Sequence, residues 1–140
     1  HRFLLMEGWK VVAGSTTAEI VADYLGHSLS VQQDVPSHLA PPRYYLDEVD
    51  LVTEGAITLN QVYNVLDEDP AILEEETGVA ELQQLLREAD RIHFLFGQAR
   101  NPAHGDITFR QRGLLTRSHI VPLLAEKLRQ MGKLVTIEYV

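Results

Sequence analysis

Three times along the 140-residue chain a short apolar run stops at a polar turn that carries glycine. Trp9 to Ala13 leads into Gly14-Ser15-Thr16-Thr17, Val49 to Val52 into Thr53-Glu54-Gly55-Ala56, and Ile92-His93-Phe94-Leu95-Phe96 into Gly97. After the first two turns apolar residues recur at helical spacing: Ile20, Val21, Tyr24 and Leu25, then Leu59, Val62 and Leu66. Such units bury one helix stripe against a sheet. Joined by right-handed crossovers, they predict a mainly parallel sheet with helices on both faces.

The rest of the chain fits the same scheme. Gly26 stands where a C-cap would end the first helix, and Ser28 to Gln32 reads as a strand. Val35 to Tyr45, with Pro36, Pro41 and Pro42, reads as irregular loop. Val79 to Ala89 is a predicted helix with Leu82, Leu85, Leu86 and Ala89 inward. Ser118 to Met131 is another, ended by Gly132, and Leu134 to Tyr139 is the last strand. That helix starts near Ser118 because Pro122 is tolerated only in a first turn. Ile92 to Gly97 reads as a strand buried on both faces, which makes His93 a core residue. The predicted fold class is α/β: one domain over residues 1–140, a Rossmann-like three-layer sandwich with about five strands.

Composition narrows the function classes. The chain is 45% hydrophobic and 23% charged, an ordinary globular balance, and has no cysteine, so disulfides, thiol nucleophiles and thiolate metal sites are excluded. The six histidines lack ligand spacing, and no metal site is predicted. The longest apolar runs fall far short of the roughly 20 residues of a membrane helix. A soluble, cytoplasmic protein without membrane contact is expected. The net charge of -8 argues against nucleic acid as a partner. It is unevenly spread: residues 86–140 hold nine Lys/Arg against five acids, +4, and residues 1–85 hold three against fifteen, -12. The acidic run from Asp67 to Glu76 reads as a solvated loop and helix start, with a protein-contact patch as the alternative.

In open parallel sheets ligands bind beyond the carboxyl ends of the strands, where three loops are expected to gather. At Gly14-Ser15-Thr16-Thr17 a helix N-terminus offers backbone N–H groups to an anion. The alternative is a capping box with Thr16 as N-cap and Glu19 returning to it, which fills the hydroxyl and brings a repelling carboxylate. In the second loop Glu54, beside Gly55, orients a ligand hydroxyl or acts as a base, or is an exposed turn residue, and Thr58 with Gln61 reads as another capping box. In the third, Gly97 to His104, Arg100 is a candidate partner for phosphate or carboxylate and His104 a candidate base. The alternative there is a turn begun by Asn101-Pro102.

The strings VVAGSTTAEIVADYLG, VDLVTEGAITLNQVYNVL, IHFLFGQARNPAH and GKLVTIEYV, in that order, resemble the C-terminal extension of the stage II sporulation protein E family, bacterial PPM-type (PP2C-like) serine/threonine phosphatases. Ser15 stands where the relatives have a second glycine. The family's chemistry rests on aspartates that hold two Mn2+ or Mg2+ ions in Asp-Gly and Asp-Asp/Asn motifs, and none of those pairs occurs here. The resemblance therefore implies an accessory domain without metal or other cofactor, following an absent catalytic domain, with residues 1–7 ending a connecting segment. Implied partners are the attached phosphatase domain, a small phosphorylated or nucleotide-like ligand and, for a homodimer, a second copy. Ligand-site candidates are Gly14, Ser15, Thr16, Thr17, Glu54, Gly55, Arg100, Asn101 and His104. A second likeness, of GSTT and DLVTEGA to the ribose-5-phosphate isomerase and acyl-CoA transferase group, implies the alternative of an enzyme acting on a phosphorylated metabolite.

Overall fold

The computed structural model describes residues 2–32, 44–69, 77–97 and 113–140. In chain order the elements are α1 (Arg2–Leu5), β1 (Val11–Ala13), α2 (Ser15–Leu25), β2 (Ser30–Val31), β3 (Tyr44–Tyr45), β4 (Leu51–Thr53), α3 (Ala56–Val65), α4 (Gly78–Glu88), β5 (Arg91–Phe96), α5 (Arg117–Gln130) and β6 (Leu134–Tyr139). The chain is α/β. Its described strands form a four-stranded mixed sheet, ordered β1-β4-β3-β2, and a separate parallel pair, β5-β6.

Only the inner part of the larger sheet is parallel: Val11 pairs with Leu51 and Ala13 with Thr53. β3 adds antiparallel to β4, and β2 antiparallel to β3. Tyr44–Tyr45 was expected as loop, because two residues carry no readable period and the prolines before them dominate the local pattern.

Alternation across the strands sorts the core into two layers. Val12 and Val52 face α2 and pack with Ala18, Ala22 and Leu46. Leu51 faces the other way, into a larger cluster with Leu59, Val62 and Leu66 of the α3 segment, Leu82 and Leu86 of α4, and Ile120, Leu124 and Leu128 of α5. Val135 of β6 joins that cluster, with Ile92, Phe94 and Phe96 packed against it. One three-helix layer thus covers a face of both sheets. Each fully buried leucine stabilises the fold by roughly 1.5–3 kcal/mol.

Two helix readings and one strand reading change. α2 turns Ala18 and Ala22 inward and leaves Ile20 and Tyr24 65% and 58% exposed, so small residues rather than large ones set its approach to the sheet. Pro122 lies in the sixth position of α5, past the first turn, and removes the hydrogen bond that Ser118 carbonyl would receive. β5 alternates instead of being buried on both faces: Ile92, Phe94 and Phe96 face the core, and His93 is exposed. Gly26 does end α2, at φ 72°, its N–H bonding Asp23 carbonyl while His27 N–H bonds Ala22 carbonyl.

Three cations of the basic half hold helix ends. Lys127 donates to Tyr63 carbonyl at 2.6 Å, Arg87 to the carbonyls of Leu66 and Glu68, and Lys133 to those of Arg87 and Ala89. Gln83, fully buried, donates to the carbonyls of Val65 and Glu68. These donors satisfy carbonyls that a helix terminus leaves without intrahelical partners.

Candidate functional site

β1 and β4 run side by side in parallel, yet their following helices leave on opposite faces of the sheet. α2 packs with Val12 and Val52, α3 with Leu51. The two turns part at the carboxyl edge: Gly14 N–H donates to Thr53 carbonyl at 3.0 Å, one step beyond the ladder, and then the chains diverge. In parallel α/β sheets such a divergence opens the crevice in which ligands bind.

Both turns require glycine. Gly14 and Gly55 each have φ 135°, a conformation that side chains resist. A Cβ on Gly55 would also lie 3.3 Å from the Gly14 Cα, so the two backbones touch. Gly14 and Gly55 are the N-caps of α2 and α3, and neither helix has a side-chain cap at that position.

The expected capping boxes are not formed. α2 begins at Ser15, which puts Thr16 and Thr17, both exposed, in its first turn and Glu19 beyond it. With no acidic residue in that turn, the repulsion expected from Glu19 is lifted and the positive end of the helix is open. Thr58 is the third residue of α3, buried, and its N–H donates to Glu54 Oε2 at 3.3 Å. Glu54 is neither an exposed turn residue nor a free base. Burial raises its pKa above the usual carboxylate range, and hydrogen bonds from the N–H groups of Thr58 and Ile57 oppose that rise.

A residue outside the sequence candidates completes the edge. Arg117, first in α5, brings Nη1 to 4.0 Å from the Cβ position of Gly14, and its guanidinium carbon lies 6.0 Å from the centroid of Phe96. Phe96 in turn meets Tyr139 edge to face, centroids 5.6 Å apart. Among the described residues Arg117 has no carboxylate partner. The carboxyl ends of β1 and β5 are therefore joined by one cation. Its place depends on Asn60, whose Nδ2 donates to the carbonyls of Ala56 and Leu115 and whose Oδ1 accepts from Leu115 N–H, pinning the lead into α5 against α3.

Thr53, at the root of both turns, is fully buried, and its hydroxyl has no hydrogen-bond partner among the described residues. The structure brings Gly14, Thr16, Thr17, Glu54 and Gly55 to one edge, with the backbone of Ser15 between them. Arg100, Asn101 and His104 lie outside the described residues. No group of three His, Asp or Glu among the described residues is arranged to hold a metal ion, and no described helix is long and apolar enough to cross a membrane. A hollow lined by Tyr44, Asp47 and Asp50 sits toward the amino end of β4, where Asp50 accepts from Lys10 N–H at 2.6 Å; none of the edge residues lines it. Arg117 was legible only as one basic residue among nine, since its value comes from which helix end it meets. No protein-family model, curated protein or solved structure matches this chain.

Proposed function

We propose that this domain is a non-catalytic, ligand-sensing module of a bacterial serine/threonine phosphatase of the stage II sporulation E type, and that it takes a small phosphorylated ligand at the carboxyl edge of β1 and β4. The observation that carries the reading is the divergence of α2 and α3 from touching glycine turns, with the uncapped N-terminus of α2 facing Arg117. Backbone N–H groups and a guanidinium are complementary to phosphate oxygens. The four sequence strings supply the parent family, and the absent metal-binding aspartates support a role without phosphoryl hydrolysis.

The Rossmann-like reading of the whole domain belongs to the same proposal. It is supported by the helix layer common to both sheets and by the parallel direction of both β1-β4 and β5-β6. Engagement of Glu54 by the first amides of α3 favours binding over the isomerase alternative, which needs a free base.

The test is a thermal-shift series with inorganic phosphate, sugar phosphates and nucleotides, followed by an assay for turnover. Stabilisation without turnover, lost in Arg117→Ala, is the expected result. Turnover abolished by Glu54→Gln would favour the enzyme, and no stabilisation by any anion would remove the site.

A further inference from the structure

α1 has no fully buried residue and leaves Leu5 exposed, so its place is fixed from outside. Phe3 packs against the α2-side cluster of Val12, Ala18 and Val52. Arg2 reaches the outward face of β6, where Nη1 and Nη2 donate to the two carboxylate oxygens of Glu138, each at 2.5 Å.

The sheet builds the receiving site. His93 on β5 stands in register with Thr136 on β6, and its Nδ1 bonds Thr136 Oγ1 at 2.5 Å. Its Nε2 bonds Glu138 Oε2 at 3.1 Å. Glu138 therefore keeps a partner from its own sheet with or without Arg2. Arg2, its side chain 63% exposed, has water as its alternative. Release of α1 therefore leaves no polar group of the socket unsatisfied and costs only one exposed ion pair and the partly buried contact of Phe3.

We propose that α1 is a releasable strap: Arg2 holds it in the socket of Glu138, His93 and Thr136, and its release uncovers the apolar cluster against which Phe3 packs. The bond is electrostatic and exposed, so salt weakens it.

Chymotrypsin cleavage between Phe3 and Met6 under native conditions reads the open fraction, because the protease acts on the released segment. Glu138→Gln and Arg2→Gln each speed cleavage roughly two- to fivefold, with the melting temperature of the domain unchanged. The charge-reversed pair Arg2→Glu with Glu138→Arg returns cleavage toward the wild-type rate. Added NaCl speeds cleavage of the wild type and leaves Glu138→Gln unaffected. Equal cleavage of wild type and single variants would overturn the strap, and so would faster cleavage accompanied by a lowered melting temperature, which would make α1 an integral part of the fold.

Discussion

Gly14 and Gly55 stand against each other so closely that a Cβ on Gly55 would lie 3.3 Å from the Gly14 Cα. Each residue caps a different helix, and each has φ 135°. The contact is where the chain commits α2 to one face of the sheet and α3 to the other. Gly55→Ala meets both the backbone strain and the crowding, and is expected to cost about 2–3 kcal/mol. Thermal unfolding checks it, with Gly97→Ala as the comparison: that position is open, its φ is ordinary, and its melting temperature stays within about a degree of wild type.

Asn60 is the counterpart of this contact on the helix side. Its carboxamide gives and receives three hydrogen bonds, two of them to Leu115. Asn60→Ala leaves Leu115 N–H and carbonyl without that partner in a partly buried place, and an expected loss of about 2–3 kcal/mol appears in urea unfolding. Asn60→Asp keeps the acceptor but sets a carboxylate oxygen against the carbonyls of Ala56 and Leu115 in a buried place, so at neutral pH a loss at least as large as that of Asn60→Ala is expected.

Arg117 separates function from stability. It has no carboxylate partner among the described residues, and Arg117→Ala is expected to cost under about 1 kcal/mol of stability. In the proposed site the same change weakens binding of inorganic phosphate about tenfold, some 1.4 kcal/mol, measured by calorimetry. A variant that binds phosphate as the wild type does would detach Arg117 from the site.

Glu54 gives a pH signature whose sign follows from its burial. Its folded pKa is raised, so between the ordinary carboxylate range and that raised value the folded state holds more protons than the unfolded one. Stability then falls as pH rises through this mildly acidic window and stays lower above it. Glu54→Gln removes the titration. The difference in unfolding free energy between wild type and variant, followed from about pH 4 to pH 7, is expected to move against the wild type with increasing pH; a flat difference would sink the assignment.

Lys133 stands for the basic residues that serve as caps. Its Nζ donates to the carbonyls of Arg87 and Ala89, each at 2.6 Å, at the end of α4. Lys133→Met keeps the apolar stem and loses the donor, with an expected cost of about 1 kcal/mol and a lower midpoint in chemical denaturation.

The sequence signals that proved reliable were those carried by local backbone chemistry. Gly26 and Gly132 end helices because their positive φ is forbidden to most residues, and the apolar spacing of Leu59, Val62 and Leu66 locates one inward stripe. The capping boxes failed for a local reason too. Gly14 and Gly55 take the cap positions and move each threonine one or more places into its helix, so Thr58 gives its N–H to Glu54 instead.

Other features have no local signature. His93 sits amid apolar neighbours in IHFLF, and only the pairing of β5 with β6 turns it outward to Thr136 and Glu138. Ile20 and Tyr24 share an apolar spacing with the buried residues of α2 but fall outside the strip that meets the sheet.

By itself the sequence determined an α/β chain without cysteine chemistry, the glycine stops of two helices, and two glycine turns at the ends of apolar strands, because these depend on period and allowed φ within a few residues. Only the tertiary structure decided that those turns touch, that Arg117 rather than Glu19 supplies the charge at the α2 N-terminus, and that Arg2 reaches Glu138 across 136 positions of sequence. Such contacts are set by which helix crosses which strand, and side-chain spacing along the chain carries no record of that.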